Sequence, residues 1–259
     1  MKKGLLALSA ATLFVMTTPV QAKQEICVFD LLGRAGESYK LIEEWKLAAK
    51  NWQGDIELIP YQDEKKAEQD FDAGKCDGVY MTSMRARKYN KFAGSIDAVG
   101  AVTSNAIAQK AISFVLDNRN KHRLTASVGG EKYEVAGIIQ VGLAYIFVRD
   151  KNIDTIEKAK GKKFAYLHYD QAQKTIVESI DLIAVPSDIS NFVKKFNSGQ
   201  VDVIAAPAYA YKPLEISKGM ANGALFNFPA VNITGDLIIK PGKFPANFGT
   251  QSRQWFINK

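Results

Sequence analysis

Two groups of residues in this chain have the side chains to hold a small molecule, and neither has the spacing of a catalytic centre. The first group is Arg34 and Ser38, followed downstream by Thr82-Ser83-Met84-Arg85. The second is His168-Tyr169-Asp170 and Pro207-Ala208-Tyr209-Ala210-Tyr211, with Arg149 upstream. Hydroxyls, guanidinium groups and aromatic rings in short loops donate hydrogen bonds, pair with anions and stack, which is the chemistry of capture. Conversion would need more. With only His122 and His168 in the chain, neither HExxH nor a His-rich zinc site can be assembled, so no metal is expected. There is no GxxxxGK[ST], no GxSxG elbow and no SxxK, and no cofactor is implied. The catalytic alternative is His168 or Asp170 as acid or base in a secreted enzyme, which would need a positioned nucleophile and an orienting acid.

Each candidate also has a plainer reading. Gly33-Arg34-Ala35-Gly36-Glu37-Ser38 stands where a helix begins and could receive an anion on free amides, or be an ordinary turn. Arg85 could contact a ligand or form a surface salt bridge with a nearby acid. Tyr209 and Tyr211 alternate with small residues, so they could stack on a ligand or pack in the core.

The elements that position these groups follow from a repeat. Phe71-Asp72-Ala73-Gly74-Lys75-Cys76-Asp77 recurs as Phe196-Asn197-Ser198-Gly199-Gln200-Val201-Asp202, with Phe, Gly and Asp in register. Before the first copy the pattern predicts a strand over 26–30, a helix over 37–52 and a strand over 55–61. Before the second it predicts a strand over 163–169, a helix over 171–179 and a strand over 181–185. Each unit reads βαβαβ, which implies an α/β fold of parallel sheets with right-handed crossovers. Leu41, Trp45, Ala48 and Trp52 are expected on one helical face, as are Ile189, Phe192, Val193 and Phe196. Gly74 and Gly199 sit where left-handed C-terminal caps are wanted, and Ser187 is read as the N-cap of the second copy's last helix. Ligands in such sheets bind at the carboxyl ends of the strands, where all the candidate residues fall. With strand order β2-β1-β3, Cys27 on the first strand and Cys76 at the threshold of the third are neighbours, which predicts a disulfide.

The chain opens with Met1-Lys2-Lys3, an apolar run from Leu5 to Met16 and Val20-Gln21-Ala22, the pattern of a secretory signal cut after Ala22. Export to the periplasm would permit that disulfide. The formal net charge is +7, but the lysines are interspersed with acids, as in Asp63-Glu64-Lys65-Lys66, and read as solvated surface. No basic run is interleaved with stacking aromatics, so no nucleic-acid partner is expected.

Asn152-Ile153-Asp154-Thr155-Ile156-Glu157-Lys158-Ala159-Lys160-Gly161-Lys162-Lys163-Phe164 resembles the entry to the second lobe in receptors of TRAP-type transporters. Ser198-Gly199-Gln200-Val201-Asp202, leading to Pro207, is similar to their turn before a binding loop. Residues 24–50 and 63–92, including Asp70 to Thr82, more closely resemble the AdeT-type solute-binding proteins. The resemblance implies the class II periplasmic binding-protein fold, two βαβαβ lobes joined by a two-crossing hinge. It also implies capture of a small solute for a membrane transporter. Such receptors usually clamp a carboxylate with an Arg on the first strand of the second lobe and carry an Asn before the binding-loop Pro; the matching positions here are Ala165 and Ala206. Arg149 or Arg85 is the expected substitute. AdeT-type proteins have also carried labels linking them to efflux and drug resistance, and an efflux-associated accessory role is the alternative.

The resulting expectation is a monomer with a first lobe over 23–118 and 224–259, a second over 134–213, and connections at 119–133 and 214–223. It closes on a small polar or anionic solute held by Arg34, Ser38, Thr82, Ser83, Arg85, Arg149, His168, Tyr169, Pro207, Tyr209 and Tyr211.

Overall fold

The repeated phrase is one structural joint made twice. In the computed structural model, which describes residues 23–259, Phe71 and Phe196 are wholly buried. Gly74 and Gly199 adopt φ of +76° and +77°, the left-handed conformation that ends a helix and that a side chain would strain. The Asp residues are pins. The Asp77 amide donates to Glu25 O at 2.8 Å while its carboxylate accepts from Glu25 N at 3.1 Å. Asp202 does the same to Lys163, at 2.8 and 2.9 Å. Each pin ties the start of a third strand to the start of a first strand, satisfying both backbone groups of the residue opposite.

The first unit comprises β1 (Gln24–Phe29), α1 (Glu37–Ala49), β2 (Ile56–Tyr61), α2 (Glu64–Asp72) and β3 (Gly78–Thr82), followed by the short α3 (Ser83–Ala86) and by α4 (Asn105–Leu116). A hairpin follows, from β4 (Thr125–Val128) to the long β5 (Glu131–Val148). The second unit holds α5 (Ile156–Ala159), β6 (Lys163–Leu167), α6 (Gln171–Ser179), β7 (Ile183–Ser187), α7 (Phe192–Asn197) and β8 (Val203–Pro207). The chain returns through β9 (Ala224–Leu225), β10 (Val231–Ile239) and α8 (Phe248–Ile257). The expected leader, residues 1–22, lies outside the described residues. No described helix is long and apolar enough to cross a membrane.

The strands form one sheet in the order β2-β1-β3-β10-β5-β8-β6-β7, with β4 and β9 also paired to β5. Within each unit the first strand lies parallel to and between the second and third. β10 runs antiparallel between β3 and β5, and the far end of β5 pairs with β8. The two units are therefore linked by β5 and β10. The β5–β10 register shifts twice along this passage, between Ile233 and Thr234 and between Leu237 and Ile238.

The packing is divided in the same way. One core surrounds Trp45, Phe71, Phe248 and Phe256, while two smaller clusters, around Phe196 and around Phe164, serve the second unit. α8 closes the first core: Trp45 donates to Ser252 Oγ at 2.8 Å, and Ser252 donates to Ala136 O at 2.6 Å. The Cys27–Cys76 disulfide joins β1 to the threshold of β3, with Cα atoms 5.9 Å apart.

Two local expectations are corrected. The buried face of α1 is Tyr39, Ile42, Trp45 and Ala49, rotated one position from the expected stripe. Trp52 lies beyond the helix in a 3-10 turn, and both flanks of Trp45 are apolar enough that spacing alone chose the wrong one. Ser187 is no N-cap. β7 stays paired with β6 through Leu167 and Ser187, and the Ser187 hydroxyl donates back to Val185 O at 3.2 Å. α7 begins after Asn191, whose side chain accepts from Asp188 N at 2.9 Å.

Candidate ligand site

The carboxyl ends of the strands converge on a chamber of about 100 Å³ between the units. From the first unit it is walled by Asp30 and Leu31 after β1, Ser38 at the start of α1, and Thr82 and Met84 around the end of β3. From the second come Ala165 and Leu167 of β6 and Pro207 and Tyr209 beyond β8. Val141 and Ala144 of β5 and Val231 and Ile233 of β10 supply the floor. The register shift between Ile233 and Thr234 thus lies beside the chamber.

Asp30 explains why this chamber needs no anion at the helix start. Its Oδ1 accepts from Leu32 N at 2.9 Å and its Oδ2 from Tyr39 N at 3.3 Å, in the first turn of α1. Gly36 makes this possible, since a Cβ there would fall 1.8 Å from the carboxylate. The amide site that the sequence offered to an external anion is filled by the protein's own side chain. Ser38 faces the chamber and accepts a hydrogen bond from the Tyr80 hydroxyl at 3.1 Å.

A second, outer cleft of about 940 Å³ is lined by Arg85, Arg87, Lys91, Tyr169 and Asp170, and shares Met84, Gln173, Val231 and Ile233 with the chamber. Across the units runs a buried polar cluster. Glu64, wholly buried, accepts from Thr82 N at 2.8 Å, Thr82 Oγ1 at 2.6 Å, Arg85 Nε at 3.0 Å and, from the opposite unit, Tyr169 OH at 3.0 Å. Arg85 also binds Glu68 at 2.7 Å and lies 3.8 Å from the centroid of the Tyr169 ring. Burial pushes the Glu64 carboxyl up, against the Arg85 guanidinium and the Thr82 donors. A second crossing pairs Arg87 with Asp170 at 3.1 Å; Asp170 also caps α6 through Ala172 N and Gln173 N.

The predicted residues are thus placed unequally. Ser38, Thr82, Pro207 and Tyr209 reach the chamber, and Arg85 and Tyr169 the outer cleft. Arg85 makes a buried salt bridge where a surface one was the plainer reading. Arg149 does not reach either cavity: its guanidinium donates to Phe196 O and Asn197 O at the end of α7. Arg34 lies 5.8 Å from the Tyr39 ring. The His168 Nδ1 is 3.0 Å from Ser187 O, Ser83 is wholly buried, and Tyr211 stacks on Phe147 with ring centroids 6.1 Å apart.

Sequence reasoning passed over Glu64, Arg87, Gln173, Asp97 and Asp236. Glu64 sits in a charged run that reads as surface, yet it shares the 64, 67 and 71 spacing of α2's buried face, which was the available signal. Asp97 and Asp236 are buried beside one another. Thr234 Oγ1 donates to Asp97 at 2.9 Å, while the Asp236 carboxylate has no hydrogen-bond partner among the described residues. Burial raises Asp97 to about 7 and Asp236 well above its ordinary value, with Arg87 opposing in both. An acid raised on folding makes the native state bind more protons, so stability should fall as pH rises from about 4 to about 7. Asp236→Asn should be more stable than the wild type at pH 8, with a shallower decline between pH 5 and 8, as read from urea midpoints.

A two-lobed α/β fold with a chamber between opposed strand ends defines a solute-binding protein of the type II binding-protein class. The chain belongs to the AdeT 1/2 solute-binding protein family, whose model matches residues 45–259. It is 39% identical over 233 residues to "Probable solute-binding protein AdeT1" of Acinetobacter baumannii, covering 90% of this chain and 75% of that protein. With "Probable solute-binding protein AdeT2" of the same organism the identity is 28% over 165 residues, 63% of this chain and 68% of that one. Two solved TRAP periplasmic solute-binding proteins share the fold. One, from Pseudomonas aeruginosa with bound L-malate, has a TM-score of 0.71 and 12% identity, covering 91% of this chain and 82% of that one. The other, from Desulfovibrio salexigens with bound orotic acid, has a TM-score of 0.68 and 14% identity over 91% and 76%.

Proposed function

We propose that this protein, exported to the periplasm and cut after Ala22, works as a monomer that captures a small polar or anionic solute between its lobes and delivers it to a membrane transporter component. Capture rather than catalysis is its task. The first lobe comprises 23–118 and 224–259, the second 134–213, and β5 and β10 are the hinge. Ser38, Thr82, Pro207 and Tyr209 contact the solute, while Arg85 and Tyr169 hold the closed form together. The observation that carries this reading is the Glu64–Tyr169 hydrogen bond beside the chamber, because a bond joining the lobes next to a cavity favours the closed state. The small acids in the two solved structures agree with the proposed class of solute.

Tyr169→Phe removes a hydrogen bond to a buried carboxylate, a loss of about 1.5 to 3 kcal/mol from the closed form. Solute affinity should therefore fall about tenfold to a hundredfold. Solution scattering should show the wild type contracting when it takes up a solute identified by native mass spectrometry, and the variant contracting only at higher concentrations. An unchanged radius of gyration in the wild type would defeat the capture reading.

A further inference from the structure

We infer that the captured solute is amphipathic, with an apolar body in the inner chamber and one polar or anionic end in the outer cleft beside Arg87. This rests on the interlobe capture reading and goes beyond it by naming the shape and chemistry of the solute.

The chamber provides no counter-charge for an acid. Asp30 is the one charged side chain lining it, and it is negative and already engaged with the first turn of α1. A carboxylate placed there would lose its hydration, meet no cation and face Asp30, a combination that costs several kcal/mol. The remaining walls are mostly apolar, from Leu31 and Met84 on one side to Ala165, Leu167 and Phe192 on the other. Hydroxyls at Ser38, Thr82 and Tyr209 can orient a polar substituent, but they do not neutralise charge.

The outer cleft supplies what the chamber lacks. It is lined by Arg85, Arg87, Lys88 and Lys91, and by the acids Glu68, Asp97 and Asp170. Lys88 is held by Glu68 and Asp72, both at 2.7 Å, whereas Lys91 is exposed and forms no ion pair among the described residues. Arg87 is part-exposed; it pairs with Asp170 at 3.1 Å, donates to Gly94 O at 3.5 Å, and also acts on the buried Asp97 and Asp236. Met84, Gln173, Val231 and Ile233 line both spaces, so the two adjoin across these side chains. A solute spanning them would place its apolar carbons inside and its anion at Arg87 and Lys91.

The test uses the mature protein and straight-chain carboxylates from propionate to octanoate, with 1-octanol and L-malate as controls, measured by calorimetry and solution scattering. Burial of each added methylene is worth about 0.8 kcal/mol, so the dissociation constant should fall about fourfold per carbon until the chamber is filled. Arg87→Gln should weaken octanoate at least about tenfold while leaving octanol unchanged. Ala165→Arg, which places a cation in the chamber, should abolish the chain-length dependence. Malate binding with closure, while octanoate does not bind, would overturn the amphipathic class and leave capture standing. Octanoate binding that is indifferent to Ala165→Arg and causes no contraction would overturn both. Failure of the whole acid series to bind would overturn the proposal whatever malate does.

Discussion

Glu64→Ala is expected to destabilise the protein by about 3 to 5 kcal/mol, read from urea unfolding, with Glu64→Gln losing less. The size follows from what the carboxylate serves. It is the acceptor for the Thr82 amide and hydroxyl, for Arg85 and for Tyr169, and it is wholly buried. Alanine would leave the buried Arg85 guanidinium with Glu68 at 2.7 Å and Asp188 at 3.7 Å, and the Thr82 amide without its acceptor. The variant should also open, because the Tyr169 hydroxyl loses the acceptor that joins it to the first lobe. A cost below about 1 kcal/mol would mean that Arg85 finds a new partner and that the cluster is not the fastening described here.

Removal of the disulfide by paired Cys27→Ala and Cys76→Ala substitutions should cost about 2 to 4 kcal/mol, seen as a lower melting temperature in the non-reduced protein. The bridge spans 49 residues, so its absence restores much freedom to the unfolded chain. Adding a reductant to the wild type should reproduce the shift, and should do nothing further to the double variant.

Much of the fold was legible because it is periodic and repeated. The two βαβαβ units, the left-handed Gly74 and Gly199 and the Cys27–Cys76 pairing all depend on local patterns or on a strand order with few alternatives. The site was legible only as a set of strand ends. Spacing brings Thr82 and Pro207 to the right edge of the sheet, since strand polarity decides that. It does not say which neighbour a long side chain will choose. Arg149 was free, on sequence alone, to reach a ligand, but it found two carbonyls at the end of α7. Glu64 lay among lysines and looked solvated, yet the face it shares with Ala67 and Phe71 turned it inward. The helix start at Gly36 promised a place for an anion, and Asp30, distant in the chain by a turn and a loop, had already taken it.

The placement of β10 has a consequence for a chain that is made from one end. The second lobe is drawn from one continuous stretch, with each strand a short distance from its partner, so its topology can be completed as soon as that stretch emerges. The first lobe cannot. Its third strand waits with one edge bare until β10 arrives to lie against it, and Trp45 waits for Ser252 and Phe248. The last segments to be made are thus the ones that seal the oldest part of the chain. A protein halted before them would present a finished second lobe beside an open apolar edge, the kind of surface that chaperones hold and proteases find.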